Sequence, residues 1–301
     1  MTETCFHAAA VSRPFFEGWY FKHQSDEHTL ILIPAFHRDE NGEKSASLQI
    51  ILDDVARRLD FSADDFEADT KRLHVRLGQN VFSEKGCRLH IDLPGLTLRG
   101  HLRYGAFYNP KRSLMGPLGR LPLPCFHEVL SLFHRLRGLI TVNGQLWDFS
   151  DGFGYLEKDW GHSFPSSYLW LQCGWQEAAD RSCVMLAIAS LGTSQLPFTA
   201  CGSLILCKGK QYRLSTYQGA QLTHCGGRRI ALRQGPWLLQ VILPPDTVKT
   251  ASSGALLLAP EAGRMSRTIR EYSRCQMRCQ LYKGGKRILD TQKDAGSLER
   301  V

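Results

Sequence analysis

Between Gly154 and Gln172 the chain concentrates side chains suited to acid chemistry: Tyr155, Glu157, Lys158, Asp159 and Trp160, then Tyr168, Trp170 and Gln172. Read as extended backbone, this segment puts Tyr155, Glu157 and Asp159 on one face and Leu156, Lys158 and Trp160 on the other, because successive side chains alternate. The next strand shows Tyr168, Trp170 and Gln172 together. Two carboxylates on one strand face stand about 7 Å apart, and in a dry site one of them resists ionisation. A neutral carboxylic acid can protonate an alkene, and aromatic faces can stabilise the cation that forms. Glu157 and Asp159 are therefore the candidate proton donors, with Trp160 and Trp170 as aromatic walls. The same residues would also suit a structural corner with its charges paired, and the sequence leaves both readings open.

Two further acids stand in apolar company. In Phe15 to His23, Glu17 shares a face with Phe15, Trp19 and Phe21, while Phe16, Gly18, Tyr20 and Lys22 form the other face. A carboxylate there either finds a partner or has its pKa raised by desolvation. Glu17 is thus a reserve donor, with Trp19 and Tyr20 as candidate ligand contacts beside it, or one half of a buried ion pair. Glu271 is expected on one face with Ile269, Ser273, Cys275 and Met277, opposite a face rich in arginine that includes Arg270. Lys158 projects away from Glu157 and Asp159 and is expected to pair with Glu271. Lys158, Arg270 and Glu271 are accordingly read as structural ion-pair residues.

The elements that must position these groups are strands. Period-two alternation dominates, and amphipathic helical periodicity is scarce. Strands are predicted near Phe15–His23, His28–Phe36, Ser45–Leu52, Arg57–Ser62, Arg72–Leu77, Cys87–Leu93, Leu96–Tyr104, Gly138–Val142, Gln145–Phe149 and Tyr155–Trp160. They continue near Tyr168–Trp175, Ser182–Ser190, Thr199–Cys207, Gln211–Tyr217, Arg228–Arg233, Trp237–Leu243, Ala255–Leu258, Met265–Lys283 and Arg287–Asp290. Asn143-Gly144 between two apolar runs is a strong hairpin signal. Residues 105–136 carry Pro110, Pro117, Pro122 and Pro124 and read as a loop covering the mouth of the first half, with a short helix over Pro124–Arg135. Many short strands with few helices give an all-β chain of two antiparallel barrel-like domains, 1–150 and 151–301.

Composition narrows the function. The chain has 301 residues, 43% hydrophobic and 22% charged, enough to bury a sizeable core. The N-terminus lacks a basic and apolar leader pattern, no apolar run is long enough for a spanning helix, and a cytoplasmic location is expected. The ten cysteines include no Cys-x-x-Cys pair, so free thiols are expected. Cys125-Phe-His127, with His134 beyond, is the nearest approach to a metal ligand set, and no metal or cofactor is expected. The net charge of +8 lies on the solvent sides of strands, as in Arg99, His101 and Arg103. That pattern argues against nucleic acid, leaves room for weak peripheral contact with an anionic membrane, and points to no obligate protein partner. No Gly-x-Ser-x-Gly elbow, phosphate-binding loop or dinucleotide fingerprint is present.

The chain resembles the tocopherol cyclase-like family in its short bacterial form. The resemblance rests on Pro14-Phe-Phe-Glu-Gly-Trp-Tyr-Phe-Lys22, Glu157-Lys-Asp-Trp-Gly-His-Ser-Phe-Pro165 leading into Tyr168-Leu-Trp-Leu-Gln172, Leu257-Leu-Ala-Pro260 and Met265-Ser-Arg-Thr-Ile-Arg-Glu271. It covers Phe15 nearly to the C-terminus, and its Glu-Lys-Asp-Trp-Gly element is the specific part. The family is similar to lipocalin-like carotenoid hydratases, so the resemblance implies two lipocalin-like barrels. It implies a hydrophobic prenylated or isoprenoid ligand and cofactor-free, acid-initiated ring closure or hydration of an alkene; the alternative is a non-catalytic carrier or sensor.

Overall fold

The computed structural model describes residues 6–8, 11, 13–177, 180–191, 198–244 and 254–301. The described residues form strands joined by short turns, and none of their helices is long and apolar enough to cross a membrane. The strands are β1 (Phe15–Gln24), β2 (Thr29–Arg38), β3 (Lys44–Leu52), β4 (Val55–Ser62), β5 (Phe66–Ala68), β6 (His74–Leu77), β7 (Asn80–Ser83), β8 (Gly86–Leu93), β9 (Leu96–Tyr104), β10 (Cys125–Val142), β11 (Gln145–Asp148) and β12 (Phe153–Gly161). There follow β13 (Tyr168–Glu177), β14 (Asp180–Ser190), β15 (Thr199–Cys207), β16 (Lys210–Ser215), β17 (Gln221–Gly226), β18 (Arg229–Gln234), β19 (Trp237–Ile242), β20 (Ala255–Glu261), β21 (Arg264–Lys283) and β22 (Lys286–Arg300).

The first sheet runs β4-β3-β2-β1-β12-β10-β9-β8-β7-β6-β5, with β11 paired to β10. Its two ends, β4 and β5, are consecutive in the chain and separated only by the turn Ala63–Asp65. A sheet whose edges are joined by so short a link must curl back on itself. The second sheet runs β16-β15-β14-β13-β22-β21-β19-β18-β17, with β20 paired to β21. Its end strands β16 and β17 are likewise consecutive, across the turn Thr216–Gln218, and Ser215 is tied to β18 by the Gln234 side chain at 2.9 Å. Both halves are thus antiparallel lipocalin-like barrels, as the strand rhythm implies. Trp19, Phe21, Leu89, Leu98 and Leu156 fill the first interior, and Leu171, Val184, Leu239, Met277 and Leu281 fill the second.

The chain divides into two compact units: Met1–Asn109, His127–Phe164 and Leu258–Arg267 in one, Pro110–Phe126, Pro165–Leu257 and Thr268–Val301 in the other. The expected join at Ser150 falls inside the first unit, because β12 completes the first sheet as the neighbour of β1. The proline-rich stretch is shared out. Residues 110–126 go with the second unit, where Lys111 N–H donates to Gln211 and the Ser113 carbonyl accepts from Arg213 and Tyr217. The returning segment belongs to the first unit, through Gln49 hydrogen bonds to both backbone groups of Leu258 and through Arg264 on Asp39 at 2.8 Å.

The helix predicted over Pro124–Arg135 is instead the start of β10. Residues 128–134 are buried at every position. A strand covered on both faces shows no alternation, so its apolar run was open to a helical reading. The Asn143-Gly144 hairpin between β10 and β11 forms as expected, with φ of 50° and 82° at the two turn residues.

Candidate functional site

The antiparallel pair β1 and β12 carries most of the titratable candidates of the first unit. Glu17 stands opposite Trp160, Trp19 opposite Lys158 and Tyr20 opposite Glu157. Partners in an antiparallel pair share a face, so Glu17, Trp19, Lys158 and Trp160 look one way and Tyr20, Tyr155, Glu157 and Asp159 look the other. The split predicted from alternation holds, and the two faces carry different chemistry.

On the interior face Glu17 and Lys158 are both fully buried, with Nζ 2.5 Å from Oε1. The His7 backbone N–H donates to Glu17 Oε2 at 2.8 Å, and its Nδ1 lies 3.1 Å from both Glu17 Oε1 and Lys158 Nζ. The Lys158 ammonium lies 5.5 Å from the Trp19 ring and 5.0 Å from that of Trp160, and His7 stacks on Trp160. Lys158 therefore pairs with Glu17 and not with Glu271 as expected. Trp19 and Trp160 pack against that ion pair.

On the opposite face of the same strands, His127 of β10 reaches the two acids of β12. Its Nδ1 is 2.8 Å from Asp159 Oδ1, its Nε2 is 3.5 Å from Glu157 Oε2, and Tyr155 donates its hydroxyl to Glu157 Oε2. Burial works against charge on this imidazole, but Glu157 and Asp159 outweigh it and raise the His127 pKa to about 9. At neutral pH the ring is an imidazolium between two carboxylates. The donor atoms of His127, Glu157 and Asp159 lie within 4.8 Å of one another, a spacing that could hold a metal ion. Yet the two ring nitrogens address different carboxylates, which is the geometry of a bridging cation and not of three ligands converging on one point.

Deeper in the first barrel lies a neutral chain. His23 Nδ1 donates to the Leu30 carbonyl, and its Nε2 accepts from Tyr104 at 2.5 Å. Burial lowers the His23 pKa to about 4 and pushes His134 well below its ordinary value, with His23 adding to the effect on His134. The Tyr104 hydroxyl is pushed well above the usual range, first by burial. His134 gives Nδ1–H to Ser131 Oγ at 3.0 Å and lies 4.7 Å from the Tyr104 ring. A cavity of about 230 Å³, lined by Lys71, Arg72, Leu73, Glu84, Phe107, Asn109 and Leu130, meets this chain at Phe107, whose ring is 4.8 Å from that of His134.

In the second unit Trp170 stands opposite Glu299 on β22, and Glu299 opposite Glu271 on β21. Glu271 is fully buried and Glu299 nearly so; Tyr168 donates its hydroxyl to Glu299 at 2.7 Å. Gln172, on the face of Tyr168 and Trp170, donates to the Cys183 sulfur at 3.5 Å. The predicted face of Glu271 is corrected here. Between the pairs Tyr272–Leu298 and Cys275–Gly296, β21 carries one residue more than β22, a β-bulge that inverts the parity. Glu271 thus joins Trp170, whereas Cys275 and Met277 face the barrel interior. Arg270 donates to the Gly254 carbonyl at 2.9 Å and makes no ion pair among the described residues.

Of the predicted residues, Tyr155, Glu157 and Asp159 are brought together; Tyr20 shares their face; Glu17, Lys158, Trp19 and Trp160 form a separate interior group. Tyr168, Trp170, Gln172 and Glu271 assemble within the second unit, joined by Glu299. His127 was noted in the sequence only as a weak metal-ligand candidate. Reading residues 125–135 as a strand would have put it on a face of β10, but its neighbours on β12 are a matter of sheet order.

The family model for tocopherol cyclase-like proteins matches residues 95–300 of the chain. The fold is also similar to solved structures. CghA shares 10% identity at a TM-score of 0.56, with 96% of this chain and 88% of that one covered. A protein assigned as AttH from Nitrosomonas europaea shares 10% at 0.56, covering 100% and 96%. Kievitone hydratase from Nectria haematococca shares 12% at 0.54, covering 97% and 89%. At these identities the likeness is one of fold.

Proposed function

The chain belongs to the tocopherol cyclase-like family, and on that premise we propose that it performs cyclase- or hydratase-type chemistry on a hydrophobic prenylated or isoprenoid small molecule. The reaction is addition of a phenol or of water across an alkene. One carbon of the double bond takes a proton, the more substituted carbon takes oxygen, and the proton lost from that oxygen restores the acid. The balance is redox-neutral. The kinship of fold with a kievitone hydratase is consistent with this class.

The observation that carries the reading is the hydrogen bond between His127 Nδ1 and Asp159 Oδ1 at 2.8 Å. Moving one proton along that bond turns an ion pair into a neutral imidazole and a carboxylic acid without changing net charge. A greasy ligand that excludes water favours the neutral pair, since desolvation penalises both charges. Asp159 is the more accessible of the two acids, with 22% of its side chain exposed against 6% for Glu157. Asp159 is thus the donor, His127 its proton source, and Glu157 with Tyr155 the anchor for the far side of the ring. Tyr20, which stands opposite Glu157 on the same face, is assigned to ligand contact.

The test is mass spectrometry of lipids that co-purify with the protein, followed by incubation with prenylquinols. An isomer of the substrate marks ring closure, and a product heavier by one water marks hydration. Asp159→Asn should abolish turnover and retain most binding, because the apolar tail supplies most of the affinity. Turnover by Asp159→Asn at the parental rate would remove the assignment. The carrier reading is favoured by one observation: Glu17, the other acid on an aromatic face, is neutralised by Lys158. A parent that binds prenylquinols and never converts them would establish it.

A further inference from the structure

The outer face of β8, β9, β10 and β11 is unlike the polar side of an ordinary half-buried sheet. Inward positions follow the alternation: Cys87, Leu89 and Ile91 on β8, Leu98 and Leu102 on β9, Leu136 and Ile140 on β10 all belong to the first core. The outward positions fall into rows across the strands. One row is Arg103 and Arg137; the next is Arg88, His101, Leu139 and Asp148; the third is His90, Arg99, Thr141 and Leu146. Strands are spaced about 4.8 Å apart, so four arginines and two leucines share one continuous surface.

The arginines differ in how they are compensated. Arg99 is held by Asp92 at 3.0 Å and lies 2.9 Å from a nitrogen of the His90 ring. Arg88, Arg103 and Arg137 are exposed and make no ion pair among the described residues. The apolar contribution sits beside them. Leu139 is 43% exposed and Leu146 is 60% exposed, on adjacent strands of the hairpin that Asn143-Gly144 closes. They are diagonal neighbours across that pair, within reach of a common apolar contact.

We propose that this face docks on a surface of anionic lipid headgroups, the guanidinium groups meeting phosphates and Leu139 and Leu146 entering the headgroup layer. Charge complementarity commits the face to an anionic partner, since Asp92 and Asp148 are its acids and the arginines outnumber them. Guanidinium groups bind phosphate oxygens in pairs and tolerate partial dehydration. The two exposed leucines separate the alternatives. A nucleic-acid backbone gives them nothing to enter, and the face carries no phenylalanine, tyrosine or tryptophan on which a base could stack. An interfacial lipid layer accepts both the charge and the alkyl groups. The inference does not depend on whether the protein turns over a substrate.

The experiment is co-sedimentation of the full chain with phosphatidylcholine vesicles and with vesicles containing phosphatidylserine. Binding is expected only to the second kind and should weaken as salt rises. Combining Arg88→Ser, Arg103→Ser and Arg137→Ser should lower partitioning about 100-fold, at the usual contribution of a basic residue near an anionic surface. The pair Leu139→Ser and Leu146→Ser should lower it about tenfold through lost apolar burial. The control combines Arg228→Ser, Arg229→Ser and Arg233→Ser, also exposed, in the second unit; it should change partitioning little. Amide exchange over 137–148 should slow only with anionic vesicles. Equal binding to neutral vesicles, a control triple as damaging as the test triple, or duplex RNA binding that the test triple abolishes while vesicles are ignored would each overturn the proposal.

Discussion

The two barrels place their charged groups at equivalent positions and fill them differently. In each sheet the centre is an antiparallel pair, β1 with β12 or β13 with β22, flanked by a long strand, β10 or β21. On the face turned away from the apolar interior, the first barrel shows Glu157 and Asp159 with His127 from the flanking strand. The second shows Glu299 with Glu271 from its flanking strand. One scaffold position thus supplies an imidazole in the first case and a second carboxylate in the other. In the first, His127 is hydrogen-bonded to Asp159, so a proton can move along that bond without changing the net charge of the pair. The interiors differ as well. The first holds the Glu17–Lys158 pair and neutral histidines, and the second holds the thiols Cys173, Cys275 and Cys279.

The largest expected difference concerns that interior pair. Lys158→Met leaves Glu17 charged and buried, and removing one partner of such a pair typically costs about 3–5 kcal/mol. The double change Glu17→Met with Lys158→Met should recover most of the loss. No thiol substitution in the second interior should show this recovery. Urea unfolding of the three chains checks it, and a single variant within about 1 kcal/mol of the parent would break the contrast.

The histidines give opposite pH dependences within the first barrel. His127 has a folded pKa of about 9, above its unfolded value of 6.5. Its stabilisation is complete below 6.5 and is lost as pH rises through 9, a change of about 3 kcal/mol at most. His127→Gln should flatten stability across that window. His23 has a folded pKa of about 4, so its contribution is complete above 6.5 and is lost as pH falls toward 4. Imidazole proton shifts followed across both windows identify each ring, and a His127 titrating near 6.5 would remove the bridging imidazolium from the comparison.

A smaller contrast concerns reactivity. The nine described cysteines are free, and of these Cys225 alone is exposed. A hydrogen bond with the Cys173 thiol, and then burial, push the Cys279 thiol well above its ordinary range. Burial takes Cys87 up to about 11. A thiol reagent should therefore modify Cys225 at once and the buried thiols only when the barrel containing them opens. Fast uniform labelling would show that neither interior is closed. The smallest effect is at the hairpin of β10 and β11. Gly144 has φ of 82° with open space around it, so Gly144→Ala should cost only about 1 kcal/mol, measurable as a shift in Tm.

Most strand positions were legible in the sequence. Alternation fixes which residues of β8, β9 and β12 share a face, and Asn143-Gly144 fixes a turn, because both are properties of a few adjacent residues. β10 was hidden by burial on both sides, and β5, β7 and β17 are too short or too polar to announce themselves. The donor pair Glu157 and Asp159 was visible as a motif, but its chemistry was not. Sheet order brought β10 beside β12 and so put His127 between the acids. The same order brought β12 beside β1 and gave Lys158 to Glu17. The bulge in β21, invisible to any count by twos, moved Glu271 to the face of Trp170. Local periodicity reports one strand at a time; partner and register depend on other strands, 32 positions away for His127 and Asp159 and over a hundred for Glu17 and Lys158, and those decided which charges met.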